Sequence, residues 1–359
     1  MRKYSPLWVA YKLVKTFLRT GYVFSKIGLP KINAEEAEWI IWAPFYQVRF
    51  LLGGDQFIRT MAVYDHLKNS GKSVSLYTKK DIGKFHQRKV VFFLSEDFNV
   101  YRFADYTDIL NHLIQNLEKQ GNRVFPSSWE VGFWENKALM HQRFIELGIR
   151  TPDSVVLTVA NAGLVNNIEA PSYPLLVKEN HSCSSLGVHA LASPLDLTRL
   201  LSQADFKKRN HAVVLQKRLN IHRDLRVILV GNQIVWHYWR INLSKEWRPT
   251  ATGFGNQVDF GNFPERWREW IIEAFLKLSL TTGAFDIAWE NDDLNTEPYI
   301  LEVSPVYQPN PRPKQLDYLQ RYGWWKKSLT LRDNYHIAYI NLEFTIQEHL
   351  VKELVRKWG

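Results

Sequence analysis

Cysteine is almost absent: Cys183 stands alone among 359 residues. The chain can therefore close no disulfide on itself and build no cysteine zinc site, which is compatible with a reducing, cytoplasmic setting. Cys183 falls in a loop-like stretch and reads there as a neutral residue rather than a reactive thiol. No run of about 18 apolar residues occurs, so no membrane-spanning helix is expected. The apolar residues near the N-terminus are interrupted by Lys12, Lys15 and Arg19, which leaves no continuous apolar core of the kind a secretion signal needs. No internal repeat or low-complexity tract is evident. Gly53-Gly54 belongs to no GxGxxG and is followed by no Gly-Lys-Ser/Thr, so it reads as an ordinary loop. There is no GxSxG elbow and no HExxH, hence no sign of a covalent serine nucleophile or a two-histidine zinc site. No nucleic-acid-binding module is visible either.

What is present suits a globular enzyme or binding protein. Hydrophobic residues make up 45% and charged residues 23%, enough for a substantial core. Lys and Arg outnumber Asp and Glu by 46 to 36, a formal charge of +10. That balance favours anionic partners, whether nucleotide, acidic substrate, nucleic acid or anionic lipid, unless it is simply a solvated basic surface. Residues 5–27 read as a helix. Leu7, Ala10, Leu13, Val14, Phe17 and Leu18 share one face; Lys12, Lys15 and Arg19 share the other, with Trp8 among them. Such a helix either lies on an anionic membrane or packs its apolar face on its own domain.

Periodicity then predicts a strand at 39–46, a helix at 56–69, a strand at 73–77, a buried strand at 90–94 and a helix at 106–120. Strands alternating with helices imply a parallel sheet in a small α/β unit. A helix from 137 closes at Gly148, a strand follows, and alternating elements continue to about 311. The C-terminal stretch 343–358 reads as an amphipathic helix.

Three stretches carry the chemistry. In the first, Lys178 follows an apolar strand and precedes a loop of small polar residues, 180–187. A lysine there can meet phosphate oxygens, and the loop's backbone N–H groups can cover a phosphate. In the second, Gln216 to Leu219 end a strand, and Asp224 and Arg226 sit two apart on the next, facing the same way. They bind ribose and phosphate, or they belong to a cross-strand ion pair. In the third, Asp286 and Glu302 lie on neighbouring strands with Ser304 two residues beyond. These are hard oxygen ligands of the kind magnesium takes. His181, His189, His211, His222 and His237 lack metal-ligand spacing.

With these residues in order, the chain resembles the ATP-grasp superfamily, in particular carboxylate–amine ligases of the ribosomal-protein glutamate ligase type, with D-alanine–D-alanine ligases as more distant relatives. The resemblance covers roughly residues 120–311. It implies an α/β fold with α+β subdomains, preceded by a pre-ATP-grasp α/β domain. The expected division is a basic amphipathic segment at 1–38, the α/β domain at 39–125, the ATP-grasp domain at 126–320 and a helical extension at 321–359. The resemblance implies ATP as a cofactor with Mg2+, or Mn2+ in its place. Lys137 and Lys178 then match the two phosphate-binding lysines, and Ser184, Ser185 and Gly187 belong to the loop over the phosphates. Gln216, Lys217 and Leu219 match the hinge that holds adenine, and Asp224 the ribose-binding acid. Arg226 and Arg240 match arginines facing the phosphates and acceptor, and Asp286, Glu302 and Ser304 the metal ligands. Serine stands where the family usually has asparagine, the loop has few glycines, and Thr250 stands where close relatives have asparagine. The implied reaction joins a small-molecule or peptide carboxylate to an amine through an acyl phosphate, and the substrates are expected to be acidic. The alternative is an ATP-binding regulatory or interaction protein of the same fold without ligase activity. A nucleic-acid-binding protein ranks last. The expected setting is cytoplasmic, with peripheral membrane contact through residues 5–27.

Overall fold

A computed structural model describes residues 17, 19–43, 55–94, 103–134, 136–159, 171–182, 185, 187–244, 247–250, 256–312 and 334–359. The chain divides into two compact units. The first comprises residues 1–95, 113–127 and 308–359, and the second 96–112 and 128–307.

The first unit holds a four-stranded parallel sheet in the order β2-β1-β3-β4. Its strands are Trp39–Trp42 (β1), Val74–Tyr77 (β2), Lys89–Val91 (β3) and Arg123–Phe125 (β4). Central β1 is apolar throughout and buried at every position, the pattern of a parallel strand covered on both faces. Helix α1 (Asp55–Asn69) connects β1 to β2 and buries Phe57, Ile58, Met61 and Ala62. The next helix, Phe103–Lys119 (α2), precedes β4. Strand pairing is shorter than the apolar runs suggest: Ala43 lies beyond β1, and Phe92 to Leu94 lie beyond β3.

The C-terminal helix, Asn334–Trp358, starts earlier than the amphipathic pattern indicates. It packs on α1 through a buried pair, Arg59 Nε to Glu343 Oε1 at 3.0 Å. Burial pushes the Glu343 carboxyl up, against the opposing pull of Arg59.

Residues 19–27 are helical. Val23 and Ile27 are buried, Phe24 meets Phe57 edge-on at 5.5 Å, and Arg19 pairs with Asp55 at 3.1 Å. Val23, Phe24 and Ile27 thus pack on their own unit. Phe17, expected on the apolar face, is 76% exposed. Leu7, Ala10, Leu13, Val14 and Leu18 lie outside the described residues. Each buried aliphatic side chain contributes about 1.5–3 kcal/mol, so a chain starting at Ala34 is expected to melt several degrees lower. An unchanged melting temperature would contradict this packing. Among the described residues, no helix is long and apolar enough to cross a membrane.

The second unit is built on two antiparallel sheets. One has the order β5-β8-β6-β7, from Ser154–Thr158 (β5), Leu175–Glu179 (β6), Val188–Leu191 (β7) and Ala212–Lys217 (β8). The other has the order β11-β10-β9-β12-β13, from Arg223–Val230 (β9), Gln233–Ile241 (β10), Gln257–Asp259 (β11), Thr282–Ala288 (β12) and Tyr299–Ser304 (β13). Helices Ser128–Gly132 (α3) and Lys137–Glu146 (α4) precede β5. Helices Pro194–Ser202 (α5) and Ala204–Arg209 (α6) lie between β7 and β8, and Arg268–Lys277 (α7) lies between β11 and β12.

Leu197, Leu200, Leu201 and Phe206 cover the first sheet. Met140, Phe144, Ile271 and Phe275 join the core of the second. Helix α4 ends where the sequence pattern places the stop. Gly148 holds φ of +60°, and the following Ile149 N–H donates back to Phe144 O at 2.8 Å while Gly148 N–H donates to Ile145 O. A left-handed residue is needed at this position, and glycine takes it without steric cost.

Candidate functional site

Local chemistry sets Lys137 in place first. Asn136 caps α4 by accepting from Leu139 N–H, which puts Lys137 at the first helical position. Ala138 N–H donates to Asn180 Oδ1 at 2.7 Å, tying the helix start to the end of β6. Lys137 Nζ donates to the Ser182 carbonyl and lies 3.8 Å from Glu302 Oε1.

Lys178 occupies the next-to-last position of β6, is 7% exposed, and donates to Leu301 O at 3.2 Å. Burial pushes its pKa down to about 8, against the pull of Glu302 and with some help from Lys137.

The loop between β6 and β7 is closed by close packing. Glu179 N–H donates to Gly187 O at 2.8 Å. A Cβ at Gly187 would sit 2.6 Å from Ser182 and 2.8 Å from Glu179. Gly187→Ala is therefore expected to force the hairpin apart and lower stability by about 1–3 kcal/mol, measurable by denaturant titration. Ser185 holds φ of 59°, a conformation that favours glycine. Ser184 and Cys183 lie outside the described residues.

The strand registers bring the remaining charges together. Asp286 on β12 faces Arg226 on β9 and Glu302 on β13, while Asp224 on β9 faces Arg240 on β10. Arg226 donates to both Asp286 oxygens, from Nε at 2.7 Å and from a terminal nitrogen at 2.8 Å. Arg240 reaches Asp286 Oδ2 at 2.7 Å and donates from Nε to Asp224 Oδ1 at 2.8 Å. Thr250 Oγ1 donates to Asp224 Oδ2 at 2.6 Å.

Asp224 and Arg226 each enter a cross-strand ion pair, Asp224 with Arg240 and Arg226 with Asp286. The Asp224 carboxylate is 1% exposed, because these donors surround it. Burial pushes the Asp286 carboxyl up, but Arg226 and Arg240 outweigh it and hold the group well below the usual carboxylate range.

These side chains border an open cleft. Lys178, Ser185, Gln216, Lys217, Leu219, Asp224, Arg240, Asp286 and Glu302 line it. Arg226 stands behind Asp286 and does not line it. Lys137 and Ser304 line a small adjoining cavity that shares Glu302. The hinge is held by Lys217 N–H to Asp153 O and Arg218 N–H to Pro174 O, and by Gln216 Nε2 to Ser154 Oγ at 3.0 Å.

Four cationic groups, Lys137, Lys178, Arg226 and Arg240, thus surround three carboxylates. The excess positive charge favours an anion. Asp286, Glu302 and Ser304 offer hard oxygen donors of the type magnesium accepts. Among the described residues, no cluster of three His, Cys, Asp or Glu side chains could hold a metal. A magnesium ion held here would need further oxygen ligands beyond these side chains.

Sequence reasoning missed several contributors. Leu176, Val188 and Leu301 give the cleft apolar walls, and Trp247 and Arg248 border it from the segment after β10. Leu176 and Lys178 lie two apart on one strand, a signal for a shared face. His141, four residues beyond Lys137 on α4, is fully buried; its helical spacing from Lys137 was the available clue.

No protein-family model matches the sequence, and no curated protein matches it. Solved structures do match the fold. D-alanine–D-alanine ligase from Bacillus anthracis aligns with TM-score 0.54 at 14% identity, over 89% of this chain and 99% of that one. The same enzyme complexed with ATP aligns with TM-score 0.52 at 15% identity, over 86% and 98%. D-cycloserine synthetase aligns with TM-score 0.53 at 14% identity, over 88% and 99%. Together with the paired antiparallel sheets of the second unit, this likeness identifies the chain as carrying the fold of the ATP-grasp carboxylate–amine ligases.

Proposed function

We propose that the chain is an ATP-dependent ligase joining a carboxylate to an amine through an acyl phosphate. The observation that carries this reading is the cluster of Lys137, Lys178, Arg226 and Arg240 around Asp286 and Glu302, most of it on neighbouring strands beside one cleft.

In this reading Lys137 and Lys178 hold the ATP phosphates, under the loop containing Ser184, Ser185 and Gly187. The hinge from Gln216 through Lys217 to Leu219 presents backbone groups to adenine, between Leu176, Val188 and Leu301. Asp286, Glu302 and Ser304 hold magnesium, which supplies charge neutralisation on the phosphates. Asp286 Oδ1 accepts one arginine hydrogen bond in this structure, and its remaining lone pair is the one offered to the metal. Asp224 fixes Arg240 beside the site instead of gripping ribose.

The substrate carboxylate oxygen attacks the γ-phosphorus, and the bond to ADP breaks. The amine nitrogen then attacks the acyl carbon, inorganic phosphate leaves with the carboxylate oxygen, and the amine proton passes to solvent. Arg240, which lines the cleft, stabilises charge as it develops, and Arg226 holds Asp286 in place. The cationic surroundings suit an acidic substrate.

A second reading, nucleotide binding without turnover, is favoured by Ser304 in place of an amide ligand and by the three arginine hydrogen bonds already on Asp286. Screening amino acids, acidic sugars and peptides for ADP release, with mass spectrometry of products, separates the two. The ligase reading expects ADP release only with acid, amine and magnesium together. Tight ATP binding with no release across the panel supports the second reading.

Lys178 adds a pH dependence. ATP favours its ammonium form, which in the nucleotide-free protein persists up to about pH 8. Affinity should be full below that pH and fall as pH rises through it, by up to about tenfold per unit. Lys178→Met should bind about 1.5–3 kcal/mol more weakly and lose the pH dependence above 8. Folding stability has the opposite slope: the unfolded chain holds this proton up to about 10.5, so the penalty of burying the ammonium is relieved between the two values. Calorimetry across this range checks the binding claim, and equal slopes for the two proteins would contradict it.

A further inference from the structure

The first backbone N–H groups of a helix have no partner within the helix, and such a helix start is a common place for a phosphate. In α4 the protein occupies them itself. Asn136 Oδ1 accepts from Leu139 N–H at 3.2 Å. The Asn180 carbonyl accepts from Lys137 N–H at 3.2 Å, and Asn180 Oδ1 accepts from Ala138 N–H at 2.7 Å. The last two acceptors belong to one residue, which lies just beyond β6 and two places after Lys178.

Asn180 is 9% exposed, and its amide is held on both sides. With Oδ1 on Ala138, Nδ2 stands 2.9 Å from His181 Nε2. An amide nitrogen only donates, so the imidazole accepts there. Burying an amide costs stability unless its hydrogen bonds are made, and here they are made. They tie the first turn of α4, with Lys137 at its head, to the strand end that carries Lys178. The same turn of chain meets the Lys137 side chain, whose ammonium donates to the Ser182 carbonyl, while Ser182 Oγ donates to Glu179 O at 3.0 Å. Residues 179–182 therefore hold Lys137 both by its backbone and by its charge.

We propose that Asn180 is a positioning residue: it clasps the start of α4 to the end of β6 and so sets the spacing at which Lys137 and Lys178 meet the phosphates of one nucleotide. A lysine whose backbone is already fixed loses less freedom when the ligand arrives. The inference rests on reading the cleft as a nucleotide site.

The test compares two ligands by calorimetry. Adenylyl imidodiphosphate with magnesium carries phosphates for the lysines, and adenosine carries none. Thermal denaturation follows folding. Asn180→Ala removes the side-chain clasp, while Met140 and Phe144 still anchor α4 in the core. This protein is expected to bind the analogue about tenfold more weakly, the scale of one hydrogen bond to a charged group, and adenosine within about twofold of the parent. In a Lys137→Met background the same substitution should change analogue affinity by less than about twofold, because its target is gone. Asn180→Ser keeps a shorter oxygen of a kind that also serves helix starts, and should show the same selectivity at about threefold. It decides the matter if the alanine protein does not fold.

Equal losses for the analogue and for adenosine would overturn the proposal and leave Asn180 a purely structural residue. So would parent-like analogue affinity in folded Asn180→Ala, an undiminished loss in the Lys137→Met background, or failure of both variants to fold. If the parent chain binds neither ligand, it is the nucleotide reading that fails, and the proposal falls with it.

Discussion

Glu302→Gln is expected to reduce magnesium-dependent turnover by more than about 100-fold while shifting the melting temperature by less than about 4 °C. The first magnitude follows from the role proposed for Glu302. Groups that only hydrogen-bond a metal ligand cost about 10–100-fold in affinity or activity when removed, and a charged ligand itself costs more. The second follows from its surroundings. The Glu302 side chain is 29% exposed, and its nearest cation, Lys137, is 3.8 Å away. Such a pair stabilises the fold little, and about 1 kcal/mol moves the midpoint of a domain this size by about 2–4 °C. Glutamine keeps the shape and one oxygen but removes the charge that a hard cation requires. Near-parental turnover by a folded Glu302→Gln protein would remove this residue from the metal site. Ser304→Asn, which restores an amide oxygen, should retain or improve metal use.

The largest loss of stability is expected at Asp224. Its carboxylate is 1% exposed and takes hydrogen bonds from Arg240 and Thr250. Asp224→Ala leaves Arg240 and Arg226 sharing Asp286, two guanidiniums on one buried carboxylate. Removing one partner of a buried pair costs about 3–5 kcal/mol, because the other charge remains without compensation. Replacing both partners, as in Asp224→Leu with Arg240→Met, should recover at least half of that loss, since the second guanidinium goes as well. Denaturant titration measures both. If Asp224 were instead a solvated ligand for ribose hydroxyls, the alanine variant would lose nucleotide affinity and little stability. A cost below about 1 kcal/mol would favour that alternative.

Much of this arrangement was legible before the fold was known, because it depends on short-range spacing. The two-residue period of a strand put Asp224 and Arg226 on one face of β9. The capped helix start put Lys137 at the head of α4, and apolar strands marked the sheet that carries Asp286 and Glu302. What the sequence could not give was register. Asp224 pairs with Arg240, sixteen residues away, because β9 and β10 meet in that alignment, and no local pattern distinguishes it from pairing with Arg226. The N-terminal segment illustrates a different limit. An amphipathic pattern gives two faces but not what covers either, and Phe57, which meets Phe24, carries no signature near residue 24.

The acyl phosphate is the central claim, and oxygen-18 tests it most directly. The acid partner found by the ADP-release screen is prepared with both carboxylate oxygens labelled and turned over with ATP, magnesium and the amine. The account predicts one labelled oxygen in each inorganic phosphate released and the other in the amide product. Phosphate without label, or label appearing in AMP, would contradict it.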